Sequence, residues 1–172
     1  MKPILITILF ITLIACNKSK NYLIRVNDKN DNCGYINLKG DTIIPFGKYL
    51  QCFTDTFRNY AIVSKRKTGV VAIDRNENVL FNIFLFDNGP DYPSEGLFRI
   101  VKDGKIGYAD SNFTIKIQAQ YGCALPFANG VAKVSIECKT VHVEPNGEHS
   151  AWVSNNWFYI NKSGVRVKNQ HE

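Results

Sequence analysis

The sequence predicts an all-β protein built from repeated antiparallel hairpin units, and three observations carry that prediction. The apolar residues lean to Ile, Val, Phe and Tyr, with a single Met, and branched or aromatic side chains pack well on a pleated surface. Four short segments echo one another: Gly34-Tyr35-Ile36-Asn37, Val71-Ala72-Ile73-Asp74, Gly107-Tyr108-Ala109-Asp110 and Phe158-Tyr159-Ile160-Asn161. Beyond the first sixteen residues no stretch of useful length keeps a helical period.

The elements of one unit follow in order. The echoed segment reads as a strand that ends in Asn37, Asp74, Asp110 or Asn161. Asn and Asp open type I turns because their side chains accept hydrogen bonds from the turn backbone. Gly40 and Gly164 come three residues later and supply the positive φ such turns need, whereas Glu77 and Phe113 hold that place in the other two copies. Those two turns must therefore differ or be strained. A second apolar run comes next: "TIIP" from Thr42, "VLFNIF" from Val79 and "TIKI" from Thr114. After a loop, a third strand alternates in "NYAIVS" from Asn59, in "EGLFRIV" with Gly96, and in "NGVAKVS" with Gly130. Each leads by a tight reversal into the next copy, most clearly at Asp103-Gly104, a type I′ hairpin signal.

Successive copies lie 37, 36 and 51 residues apart. A β unit of roughly 35 residues cannot bury one face alone, so copies must stack and share a core. A solenoid-like stack is expected, with a partial propeller-like arrangement as the alternative. In an open stack "NYLIRV", from Asn21 to Val26, would be a capping strand. Tyr35, Tyr108 and Tyr159 form one column and Ile36, Ile73 and Ile160 the next. Adjacent columns face opposite sides of a strand, so one lines the core and the other meets a neighbouring layer. Repeated aromatics are read as packing before they are read as a ligand-stacking stripe.

The pieces "GYINLKGDTIIP", "YPSEGLFRIVKDGKIGYAD", "PFANGVAKV" and "WFYINKSG" together resemble the WG (KWG-type) repeat of bacterial envelope and other proteins. About 3.5 copies are covered, near residues 33–65, 70–101, 106–135 and 157–168, within a domain spanning 22–168. The Trp of the motif stands only at Trp157; Cys33, Val70 and Ile106 take its other places, and Val71 and Phe158 replace its Gly in two copies. The resemblance implies a β repeat fold and supplies no reaction.

The first residues, "MKPILITILFITLIAC", join one charge at Lys2 to an apolar run from Ile4 to Ile14. That run falls short of the roughly 20 residues needed to span a bilayer and has the length of a signal-peptide core. The ending, Leu13 to Cys16 with small Ala15 before the cysteine, resembles the lipobox of bacterial lipoproteins. The resemblance implies removal of residues 1–15, a diacylglycerol on the Cys16 sulfur and acylation (palmitate) of its amino group. Each buried methylene adds about 0.8 kcal/mol of membrane affinity, so two or three chains anchor durably. Residues 16–21 would be a polar tether. The repeat domain is expected outside the cytoplasm, anchored in the cell envelope. Asn17 is not the Asp that retains enteric lipoproteins at the inner membrane, which points to the outer one.

Four further cysteines, Cys33, Cys52, Cys123 and Cys138, sit in a compartment that permits disulfides, and they allow three pairings. Their spacing makes no metal motif, and buried free thiols are an equal reading for Cys33 and Cys52. The net charge of +6 is scattered. Nucleic-acid binding wants a concentrated patch or a recognisable motif, and neither is present.

The repeat breaks in one place, residues 136–156, which alternate on both sides of Asn146-Gly147 and predict a protruding hairpin. A two-residue turn would set Glu144 opposite His149 and His142 opposite Ala151. His142, Glu144 and His149 would then share a face that could hold Zn²⁺, with Val141, Val143 and Trp152 on the other face. The competing reading is a solvated face with Trp152 packed on the body. A three-residue turn would move His149 across the ribbon. The same hairpin, with Trp152 near its base, is the best candidate to bind a partner, through strand addition at its edges among other modes.

No nucleophile elbow, zinc-protease helix, phosphate loop or paired catalytic set is present. "DNGPDYPSE", Asp87 to Glu95, lacks calcium-loop spacing and reads as a turn-rich loop. His171 falls in the polar tail 169–172. The expected protein is a lipid-anchored, non-enzymatic module, without cofactor, that binds an envelope protein or glycan. A small hydrolase or metal-dependent enzyme using the His142, Glu144 and His149 face is the rival.

Overall fold

The computed structural model describes residues 21–143 and 149–168. Cys16 and its leader, Glu144, Asn146-Gly147 and the tail 169–172 lie outside the described residues. Among the described residues the chain is all β, in several open antiparallel sheets with no helix and no closed barrel.

Four three-stranded units succeed one another, each with a leading, a central and a trailing strand. Unit I comprises Leu23–Asn27, Cys33–Ile36 and Thr42–Ile44. Unit II comprises Tyr60–Lys65, Gly69–Asp74 and Val79–Ile83. Unit III comprises Leu97–Lys102, Lys105–Asp110 and Ile115–Tyr121. Unit IV comprises Val131–Ser135, Phe158–Asn161 and Arg166–Val167. Each echoed segment is a central strand, and each third strand of the sequence pattern leads the following unit.

The units share one register. Across the leading and central strands Arg25 faces Tyr35, Ile62 faces Ala72, Arg99 faces Tyr108, and Lys133 faces Tyr159. The segment expected to cap the stack is therefore a full leading strand, the start of unit I rather than an added edge. Its other side is covered by the short strand Thr56–Phe57. Units II and III are joined through Ile83 and Ile100 into one seven-stranded sheet.

The turn after each central strand has one geometry. The side-chain oxygen of Asn37, Asp74, Asp110 or Asn161 accepts backbone N–H groups two and four residues on. The backbone N–H three residues on donates to the carbonyl of the same residue. Asp28 builds a further turn of this kind between the first two strands. Glu77 and Phe113 thus occupy the position of Gly40 and Gly164, with φ of 63° and 59° against 89° and 79°. The two turns do not differ; they carry the strain, on the order of 1 kcal/mol each. Glu77 offsets it by accepting from Lys48 and Tyr49. Phe113 offsets it by packing on Tyr60, Phe81 and Phe98.

The Gly of the repeated Gly-Tyr pair has a packing cause. A Cβ at Gly107 would lie 2.5 Å from the Ile117 carbonyl oxygen, and one at Gly34 would lie 2.9 Å from that of Ile44. In both units the trailing strand shifts register here and brings its backbone against the glycine. The Tyr column enters the core: Tyr35 and Tyr108 are fully buried. In units II and III the neighbouring column is buried as well, at Ile73 and Ala109, so both faces of those central strands are covered.

Candidate binding cleft

In units I and III the chain, after its trailing strand, passes over the Tyr column and fastens there. Over unit I, Tyr35 donates its hydroxyl to the Thr54 carbonyl at 2.8 Å and Arg25 donates to that of Cys52 at 2.8 Å. Phe57 sets its ring edge-on to Tyr35 at 5.3 Å. Over unit III, Tyr108 donates to Leu125 at 2.6 Å, Arg99 to Ala124 at 3.1 Å, and Phe127 stands edge-on to Tyr108 at 4.9 Å. Each arginine also meets a carboxylate. Arg25 pairs with Asp55 at 3.1 Å on the surface, and Arg99 with Asp91 in the interior, where both side chains are almost fully buried. Burial pushes the Tyr35 hydroxyl up to about 12 and raises that of Tyr108 further.

Residues 34–67 and 106–137 hold the tyrosine and the overlying segment of these two arrangements, with Arg25 and the Arg99–Asp91 pair lying before them in the chain, and both segments match one family model. It is the WG containing repeat. No curated protein and no solved structure matches the chain. The matched WG repeats are units whose overlying segment is furnished by the chain itself. In unit II, Ala72 and Ile62 replace the Tyr and the cation, which removes the polar fastening.

The cysteines strengthen both crossings of these repeats. Cys33 and Cys52 form one disulfide, with Cα atoms 6.1 Å apart, and Cys123 and Cys138 form the other, at 5.7 Å. The reading of Cys33 and Cys52 as free thiols is thereby corrected. Where the motif has Trp, Cys33 ties the central strand of unit I to its overlying segment. Cys123 ties the equivalent segment of unit III to the foot of the hairpin.

That hairpin exists, as Lys139–Val143 paired with His149–Val153. Its register is not the expected one. Val143 faces His149, His142 faces Ser150, Val141 faces Ala151 and Thr140 faces Trp152. Five residues separate the last pair, an odd number that a two-residue turn cannot produce. His142 and His149 accordingly occupy register positions on opposite faces of the ribbon, and the shared face proposed with Glu144 is lost. Trp152 likewise stands on the face opposite Val141. Among the described residues no cluster of His, Cys, Asp and Glu could hold a metal.

Trp152 does pack on the body, edge-on to Phe84 at 5.6 Å. Together they wall a cleft of about 700 Å³ that Phe86, Arg99, Leu125, Lys133 and Trp157 complete. Phe86 and Leu85 are more than half exposed at its mouth. The Arg99 guanidinium lies 4.2 Å over Phe84 and is spent on Asp91 and Ala124. The Lys133 ammonium lies 5.6 Å over Trp157 and 5.9 Å over Tyr159. It also borders a neighbouring groove of about 320 Å³, walled by Leu125, Pro126 and Tyr159.

Of the residues singled out in the sequence, the structure brings Trp152, Trp157 and Tyr159 to this region. Gly40, Gly96, Gly130 and Gly164 sit in turns with positive φ, Gly130 between Asn129 and Val131 at the rim of the smaller groove. Phe84, Phe86, Asp91, Arg99 and Lys133 were not anticipated. A column alignment of the leading strands carries the signal, because Arg25, Arg99 and Lys133 fall opposite the repeated tyrosines.

Proposed function

We propose that this chain is a lipid-anchored, non-enzymatic binding module of the cell envelope, held by Cys16 and presenting the cleft beside its long hairpin to a partner. The observation that carries the reading is the cleft itself. It is concave and aromatic, lined by the Asp87 carboxylate and by Lys133, which forms no ion pair among the described residues, and lodged where the repeat is interrupted. Aromatic walls with a few placed polar groups are how proteins hold ligands, and the rigid repeat stack keeps them in position. The lipobox resemblance supports the anchor, and Asn17 after the cysteine supports the outer membrane as its place.

Two variants of the full-length protein test the two halves. Cys16→Ala should move the protein from the membrane to the soluble fraction and leave partner binding intact. Trp152→Ala should leave the protein on the membrane and reduce capture of its partner about tenfold or more. Membrane retention by Cys16→Ala would sink the anchor, and undiminished capture by Trp152→Ala would sink the cleft.

A further inference from the structure

We infer that the groove over Lys133 and Tyr159 takes an extended peptide segment of a partner protein, one bearing a carboxylate and, two positions on, an aromatic residue. The inference rests on the reading of this region as a binding site and names the ligand chemistry.

The molecule contains its own controls. The cation of the leading strand and the Tyr of the central strand recur in units I, III and IV at one register position. In units I and III both donors are satisfied by carbonyls of an extended segment, and the cation by a carboxylate. Unit IV keeps the donors and lacks those acceptors among its described residues. No hydrogen bond or ion pair of Lys133 or of the Tyr159 hydroxyl is formed there, and Tyr159 is half-buried where Tyr35 and Tyr108 are wholly enclosed. The groove of about 320 Å³ lies over these two side chains.

What fits is therefore what the chain places over unit I. Residues 52–57 offer a carbonyl to the cation, a carbonyl to the Tyr hydroxyl, the Asp55 carboxylate to the cation, and the Phe57 edge to the Tyr ring. Lys133 needs such a carboxylate more than Arg99 does, since it rests half-buried against rings without an anion. A charge-assisted bond to a half-buried ammonium is stronger than one between neutral groups.

The probe is the peptide Gln51–Arg58 carrying Cys52→Ser, acetylated and amidated, titrated into the intact chain. Tryptophan fluorescence reports it, because the Lys133 ammonium lies 5.6 Å from the centre of the Trp157 ring. Saturable binding is expected. It should weaken about tenfold or more in Lys133→Met, which keeps the aliphatic stem and the fold but removes the charge, and similarly with Asp55→Asn in the peptide. Lys39→Ala, on the distant exposed turn, should bind as the parent does. Absence of saturation up to about 1 mM, equal binding by Lys133→Met, or binding only after deletion of residues 169–172 would each overturn the inference. If the peptide fails while a captured envelope protein or oligosaccharide still requires Trp152, the peptide assignment falls and the proposed function stands. If the peptide fails and nothing requires Trp152, both fall.

Discussion

The Tyr108 hydroxyl donates to the Leu125 carbonyl oxygen at 2.6 Å, closing unit III as Tyr35 and Thr54 close unit I at 2.8 Å. Tyr108→Phe deletes the donor and strands a partly buried acceptor, so it should cost about 1–3 kcal/mol. Tyr159→Phe, which leaves no internal acceptor behind among the described residues, should cost under about 0.5 kcal/mol. Urea unfolding of the two variants checks this, and equal losses would deny that the hydroxyl fastens the overlying segment.

Two glycines in the same hairpin separate close approach from backbone conformation. At Gly104 a Cβ meets nothing within 4 Å, but φ is +71°. Ala there should cost about 1 kcal/mol, the left-handed penalty alone. At Gly107 a Cβ would lie 2.5 Å from one backbone oxygen and 2.6 Å from the Ala119 nitrogen. Ala there should cost about 3 kcal/mol, because the trailing strand must move. The reverse order in thermal unfolding would show the bulge to be pliable.

The Arg99–Asp91 pair is enclosed, with side chains 3% and 4% exposed. Asp91→Asn should therefore destabilise by about 3–5 kcal/mol, since it leaves a buried guanidinium without its anion. Asp91→Leu combined with Arg99→Met should recover part of that loss. A chemical denaturation cycle on the single and double variants decides, and an additive double variant would contradict the coupling.

Alkaline pH should unfold the protein through its tyrosines. Burial first, with the Arg25 charge working against it, raises the Tyr35 hydroxyl to about 12 in the folded chain, against about 10 when unfolded. Tyr108 and Tyr49 are raised further, by burial and, for Tyr49, by the Glu77 carboxylate it donates to. Above pH ~10 the unfolded chain binds fewer protons than the folded one, so stability falls as pH rises. The contribution is whole below pH ~10 and lost through pH ~12. Phenolate absorbance should lag for the buried tyrosines and then jump with unfolding; a single smooth titration near pH ~10 would contradict their burial.

The fold could be read in the sequence wherever local chemistry decides it. Asn or Asp before a turn, Asp103-Gly104 between alternating strands, and the recurring Tyr column are short-range signals, and the structure places each as read. Register across the long hairpin was not legible. It depends on whether two or three residues turn near Asn146, and that parity alone moves His149 to the other face. The cleft was hidden for a different reason. Phe84, Trp152 and Lys133 are far apart in the chain, and only the stacking of units brings them together. The disulfides are of the same kind, since Cys33 and Cys52 meet only because the overlying segment folds back across unit I.

On the proposed function, the cleft over unit IV is where this protein meets its partner. The most direct measurement is quantitative capture from solubilised membranes by the intact lipoprotein, comparing the parent with Trp152→Ala, Lys133→Met and Lys39→Ala. One partner should be recovered equally by the parent and Lys39→Ala and reduced about tenfold or more by both cleft variants. Recovery that is the same for all four proteins would contradict it.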